Sequence, residues 1–474
     1  MTPLPDQPNE GSVQELVSFS LPILAACLAE PLLSTIDTLA IGRLSTTGAS
    51  AGLAALNVNA AIFNMVSVIT SFLCTATTTV VGQGMAAQTG PIGQQDDASA
   101  RGLRDGLVIS TLLGCLIGGF LVLGESTILG GGFGLLRSGP VWGPAAAYLK
   151  IRALSVPAAL ATLVGVGVCL GRQDTSTPLK GVLLATVVNV FGDGLLVWKL
   201  GWGLTGAAIA TAAASYASAF LICGLLLREL KPRWRRPLRL RELWPFLACS
   251  GALLAGRTLN ALTYTTTSKV VTAAGNVASA AAHQISLQCW WLFSFVSVPI
   301  SLAAQSLLSR RALENPRAGA ATVSSVLTLG GVCGALMAAG NWLVPFRLPG
   351  IFTTDPAVKA ALATAMLPAI ASQFAISLAT ALDGIYIGTA ALAHYVMACS
   401  LGASSAWFVF RRGLRMGTGL PSAWNGLLLF AGVRMVAHLL AYPRLKQKLE
   451  GAAAAKDKRD ADGQQVGTSA ASSS

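Results

Sequence analysis

Apolar stretches long enough to cross a lipid bilayer recur along this chain, at roughly 17–43, 51–83, 104–124, 145–171, 179–199, 203–228, 243–272, 277–308, 318–343, 358–388, 393–411 and 422–442. Hydrocarbon offers no hydrogen-bond partner, so each run must satisfy its own backbone polar groups. Runs of about 20 apolar residues do this as helices. Only 11% of the residues are charged, against about 25% in soluble domains. The expected fold class is an all-α polytopic membrane protein with about twelve transmembrane helices.

The densest charge run, Arg228 to Glu242, lies halfway along and reads as a loop between two halves. The expected organisation is a polar N-terminal tail (1–16), an N-lobe of six spans (17–228), a basic cytoplasmic linker (229–242), a C-lobe of six spans (243–445) and a disordered Ala/Ser-rich tail (446–474). The halves look duplicated. Pro22 and Asp37 stand fifteen residues apart in the first span, as do Pro245 and Asn260 in the seventh. Gln83 ends the second span and Gln305 the eighth; Gly167 and Gly171 end the fourth, Gly384 and Gly388 the tenth. Such pseudo-symmetric six-helix bundles suit alternating access around a central cavity.

The net charge of +13 would suggest nucleic acid in a soluble chain. Here it belongs in loops on the cytoplasmic face, so no nucleic-acid partner is expected. With both termini cytoplasmic, that side holds about 20 Lys/Arg against about 11 opposite. The N-terminal tail has neither the basic region of a signal peptide nor the bias of a transit peptide, so the first span is expected to direct insertion. The nine cysteines sit singly in apolar runs and three histidines are scattered, which points to neither a disulfide framework nor a metal site.

Ionisable residues at membrane depth are costly and mark functional positions. The set is Glu30, Asp37, Asp193, Arg257, Asp383 and Arg434. Glu30 and Asp37, seven residues apart, share one helical face, and Pro22 and Pro31 can bend that helix. Burial can bring a carboxyl group near neutrality, so that it loads and releases a proton. Asn189 and Asp193 are at i,i+4 and their side chains should meet, with Thr211 of the next span close enough to join them. Asp383 reads either as a second-lobe coupling or binding residue or as the partner of Arg257 in a structural bridge. Tyr264, Trp290, Trp291, Phe293, Phe295, Trp342 and Tyr386 supply aromatic surface that can hold flat or cationic ligands or simply pack.

Several motifs carry a family resemblance: Ile36-Asp37-Thr38 through Ile41-Gly42-Arg43-Leu44, Gly52 to Leu56, Gly171-Arg172-Gln173-Asp174-Thr175-Ser176-Thr177-Pro178-Leu179, Asn189 to Asp193, Gly201 to Ala208, and Leu382-Asp383-Gly384-Ile385-Tyr386-Ile387-Gly388. Over roughly 17–445 the chain resembles the multidrug and toxic compound extrusion transporters, in the DinF-like branch with bacterial, plant and algal members. The resemblance implies two six-helix lobes exporting organic compounds against inward H⁺ or Na⁺. By matching position, Asp37 resembles the branch's proton-coupling aspartate and Pro22 the proline where the first helix bends. Asn189, Asp193 and Thr211 resemble the polar cluster of the N-lobe cavity. Glu30 departs from the pattern, since relatives often carry an uncharged amide there. The seventh span lacks the acidic residue of the Na⁺-coupled NorM-like branch and has Arg257 and Asn260 nearby, which favours H⁺.

The function expected is therefore secondary antiport, not enzymatic catalysis. Asp37 and Asp193 are the proton-coupling residues; Glu30, Asn189, Thr211, Asn260, Asp383 and Arg257 are polar cavity residues; Pro22 is the bend. No cofactor or metal is expected beyond H⁺, with Na⁺ the alternative coupling ion. The partners are a small organic substrate and the bilayer around a monomer, in a plasma, plastid or vacuole membrane. Organic-anion export of citrate or phenolics is the alternative substrate reading. An intramembrane prenyltransferase would need a second Asp-rich motif beside Asn189–Asp193 to hold Mg²⁺, a lipid-linked flippase more cavity arginines, and a major facilitator a basic Gly/Asp-rich loop that Gly84 to Arg104 does not supply.

Overall fold

The computed structural model describes residues 11–25, 27, 49–86, 92–132, 137–139, 141–232, 240–274, 277–351 and 355–471. They are almost entirely helical. The helices are α1 (Val13–Ala25), α2 (Ala49–Thr70), α3 (Phe72–Ala86), α4 (Ile92–Leu123), α5 (Trp142–Leu154), α6 (Val156–Gly171), α7 (Ser176–Asp193), α8 (Gly203–Leu230), α9 (Leu240–Ala273), α10 (Val277–Ser294), α11 (Ser297–Glu314), α12 (Pro316–Trp342), α13 (Pro356–Gly388), α14 (Leu392–Met416) and α15 (Gly419–Ala471). Among the described residues nine helices are long and apolar enough to cross a membrane, or ten when α5 and α6, bent by 44° at Ser155, count as one span. The chain divides into two compact units, with breaks at Ser20/Leu21 and inside α9 at Arg257/Thr258.

In the N-terminal unit α6 packs closely on α3 and α4. A Cβ added at Gly167 would fall 2.6 Å from Cys74 O, and one at Gly171 3.0 Å from Thr78 O. These glycines let two helix backbones touch, which drives association where lipid removes the hydrophobic drive between helices. Leu112, Leu116, Phe120 and Leu123 of α4 form an exposed apolar stripe at helical spacing. Water would penalise such a surface, whereas acyl chains cover it.

The C-terminal unit repeats the device with the same four-residue spacing. A Cβ at Gly384 of α13 would lie 2.1 Å from Ser301 O, and one at Gly388 2.9 Å from Gln305 O, both on α11.

Gly11 to Leu16 is anchored in the C-terminal unit: the Glu15 carboxylate accepts from both terminal nitrogens of Arg311, and Ser325 Oγ donates to Gly11 O at 2.6 Å. At the other end α15 runs on through residues 446–471, where an unstructured tail was expected. Alanine has the highest helix propensity, Lys446 and Glu450 pair at i,i+4, and Leu449 and Ala453 are buried one turn apart.

Candidate functional site

Each unit holds a buried polar centre. In the N-terminal unit it lies at the end of α7. Asn189 Nδ2 donates to Asp193 Oδ2 at 2.9 Å, and each residue is only 1% exposed. The i,i+4 spacing brings the two together, as the sequence indicates. Directly after Asp193 the helix widens into a π-helical turn, Gly194–Lys199, a feature frequent at functional sites. Gly192 lets α8 approach, since a Cβ there would meet the Ala210 methyl at 2.7 Å. Thr211 Oγ1 donates to Ala207 O of its own helix at 2.8 Å, so toward the pair it can act only as an acceptor.

Glu30 and Asp37 lie outside the described residues. Pro22 sits inside α1, half-buried, one residue beyond the Ser20/Leu21 break between the compact units. Arg257 and Asn260 stand three apart on α9, both half-buried and on opposite sides of the other break. Arg257 Nε and Asn260 Oδ1 are buried with no hydrogen-bond partner among the described residues.

The second centre joins α13, α14 and α15. Arg434 Nη2 donates to Asp383 Oδ2 at 2.5 Å, and His438 Nε2 lies 2.9 Å from Asp383 Oδ1. The arginine bonded to Asp383 is Arg434; Arg257, weighed from the sequence as its partner, belongs to the other unit. His438 Nδ1 lies 3.1 Å from His394 Nε2. Tyr386 stacks on His438 at 4.8 Å and donates to its carbonyl at 2.6 Å. Arg434 also rests on the Phe430 face at 5.0 Å. The histidines were dismissed from the sequence as scattered. The missed signal is that all three of the chain's histidines fall within apolar spans, where an ionisable side chain needs a partner.

Of the aromatic set, Tyr264 meets Trp290 at 5.7 Å and Trp291 at 4.8 Å, and Trp290 Nε1 donates to Ser372 Oγ at 3.2 Å. With Phe430 at 5.7 Å these rings form a packed edge-to-face cluster inside the C-terminal unit.

The loop from Gly171 to Thr177 explains the most specific sequence motif. Gln173 takes a left-handed conformation (φ 64°), donating to Leu170 O at 2.9 Å, while Asp174 N donates to Cys169 O at 2.8 Å. This pair of bonds closes α6 as a Schellman motif. Asp174 Oδ1 then accepts from Ser176 N at 2.8 Å, Ser176 Oγ at 2.9 Å and Thr177 N at 3.2 Å, starting α7. Burial raises the Asp174 pKa, but these hydrogen bonds outweigh it and hold the carboxyl below its ordinary value.

Among known proteins, the family model MatE matches residues 22–194. Protein DETOXIFICATION 44, chloroplastic, of Arabidopsis thaliana is 30% identical over 445 residues, covering 91% of this chain and 82% of its own length. The chain belongs to the multidrug and toxic compound extrusion (MATE) family. DNA damage-inducible protein F of Escherichia coli (strain K12) is 31% identical to this MATE protein over 220 residues, 46% of this chain and 44% of its own length. A solved MOP superfamily transporter from Pyrococcus furiosus superposes with a TM-score of 0.79 at 16% identity, covering 92% of this chain and 96% of its own. That likeness establishes the fold. As a MATE member the protein is an integral multi-pass transporter of small organic compounds, not an enzyme.

Proposed function

We propose that this MATE protein is an H⁺-coupled antiporter that exports organic compounds, xenobiotics or metabolites, by alternating access. The observation that carries the reading is the Asn189–Asp193 pair, 1% exposed within a helix apolar enough to span a membrane and hydrogen-bonded at 2.9 Å. Asn189 can donate to Asp193 when it is charged and accept when it is neutral, so the pair tolerates both protonation states. Asp37 loads a proton from the outer side, and Asp193 adjusts its charge in response. Neutralisation removes the attraction for a cation, the first helix bends near Pro22, the cavity narrows and the substrate leaves. A proline removes a backbone donor and permits such a bend, and the position of Pro22 beside the break between compact units supports it.

The two lobes are the rocking parts, with the linker 229–242 and both termini on the cytoplasmic side and the protein acting as a monomer. Chloroplastic relatives favour a plastid membrane. The half-buried Arg257, with its Nε unpartnered among the described residues, favours an organic-anion substrate as the second reading.

Proteoliposomes loaded with ethidium or with citrate test both. An imposed pH gradient should drive ethidium efflux, and a Na⁺ gradient at equal pH should not. Efflux driven by Na⁺ alone would overturn the coupling ion, and citrate efflux without ethidium efflux would overturn the substrate class.

A further inference from the structure

Beyond its apolar run, which ends near residue 442, α15 continues as helix alongside the start of α12. Two ties hold the pair together. Tyr442 Oη donates to Ser324 Oγ at 3.3 Å, and further along α15 Lys456 Nζ donates to Glu314 O at 2.5 Å, just before α12 begins. Between the ties the two helices enclose a cavity of about 420 Å³. Ala320 and Ala321 of α12 and Ala453 and Ala454 of α15 form its walls. Facing methyl groups are too short to bridge such a gap, whereas protein interiors elsewhere are close-packed.

The charged residues of the cavity are Arg317, Lys446 and Glu450. Lys446 Nζ and Glu450 Oε1 are 3.9 Å apart, with side chains 38% and 58% exposed. A pair that long and that wet is worth little, so the carboxylate does not hold the ammonium. The lining therefore carries a net charge of one positive unit, which matches the single negative charge of a phosphodiester. Exposed Arg444 and Lys448 on the same helix add to the positive field. The depth is equally specific. Arg317 stands just before the apolar run of α12 and Lys446 just after that of α15. Both cations thus lie where hydrocarbon gives way to lipid headgroups. A volume of this size is that of a small-molecule site. A free phosphate would occupy little of it, whereas a phosphate with its glycerol and the start of two acyl chains fills it against the alanines.

We propose that this cavity binds an anionic phospholipid of the surrounding bilayer, with the phosphate between Arg317 and Lys446 and the glycerol on the alanine walls. Guanidinium offers the phosphate a forked pair of donors and lysine a point charge. The bound lipid joins the basic extension of α15 to α12. The site depends on neither the coupling ion nor the exported substrate.

Native mass spectra of the full-length protein in detergent, titrated with dioleoylphosphatidylglycerol or dioleoylphosphatidylcholine, count the lipids bound. Phosphatidylglycerol should bind about tenfold or more tighter than phosphatidylcholine, and Arg317→Gln/Lys446→Gln should remove that advantage. Arg411→Gln/Arg412→Gln, which deletes the same charge from exposed positions near the start of α15, should keep it. Ala454→Trp fills the cavity with every charge intact and should weaken phosphatidylglycerol as much as the double variant does. Excess inorganic phosphate should displace no lipid. Melting temperatures confirm that each variant is folded. Equal affinity for the two lipids, a tight phosphatidylglycerol that survives Arg317→Gln/Lys446→Gln, or unaltered binding in Ala454→Trp would each overturn the proposal. Displacement by phosphate alone would overturn it too, in favour of a free anion. Deleting residues 2–10, which bear Asp6 and Glu10 and lead into Gly11 beside Ala321, should leave the affinity unchanged. A large gain on deletion would give the cavity to that acidic segment instead.

Discussion

Arg434 Nη2 donates to Asp383 Oδ2 across 2.5 Å, with the arginine side chain 1% exposed. Breaking a buried pair by removing one partner leaves an uncompensated charge and costs about 3–5 kcal/mol, whereas replacing both with apolar groups is often near neutral. Asp383→Leu should therefore lower the melting temperature in detergent sharply. The double variant Asp383→Leu/Arg434→Met should recover most of the loss.

The α11–α13 contact is set by backbone approach. Gly384→Ala places a methyl 2.1 Å from Ser301 O, and overpacking of this kind costs about 1–3 kcal/mol or more. Gly331→Ala, on α12 with nothing within 4 Å of the new Cβ, should be neutral or slightly stabilising, because alanine favours the helix by about 0.5–1 kcal/mol. Melting temperatures of the two variants in one detergent check the contrast.

Glu15 ties the N-terminal segment to α11. Burial raises its pKa, but the Arg311 guanidinium and the Gly11 N–H outweigh this and hold it below the ordinary value. A carboxyl that titrates lower when folded contributes fully above its unfolded pKa, ~4.3, and loses that contribution as pH falls through the folded value. Limited proteolysis of the N-terminus should stay slow at neutral pH and accelerate below about pH 4. In Glu15→Gln it should be fast at every pH.

Gln173 occupies a left-handed position at φ 64°, a conformation that costs a non-glycine residue about 1–2 kcal/mol. Gln173→Gly should raise the melting temperature. Asp174→Ala should lower it, by the loss of a helix cap worth about 1 kcal/mol.

How far the sequence foretells the structure depends on sequence distance. The Asn189–Asp193 contact is legible because both residues lie on one helix at i,i+4. The apolar runs foretell the helices because lipid leaves the backbone no other solution. The Asp383 partners are not legible: Arg434 and His438 lie 51 and 55 residues on, and only the packing of α13 against α15 brings them together. Glu15 reads as part of a solvated tail because its partner Arg311 is 296 residues away. The alanine run after Gly451 reads as low complexity, yet as helix it buries Ala453 one turn beyond the buried Leu449. Gly384 and Gly388 announce a close helix contact, while the identity of α11 as its partner comes from the fold alone.

The central claim is that a carboxylate in the first span couples proton entry to substrate exit, and pH-driven ethidium efflux from proteoliposomes bearing Asp37→Asn tests it most directly. Asparagine keeps the shape and cannot load a proton, so efflux should fall to the level of protein-free vesicles while the folded protein remains intact by melting temperature. Efflux at the wild-type rate with an unchanged dependence on the pH gradient would contradict the account.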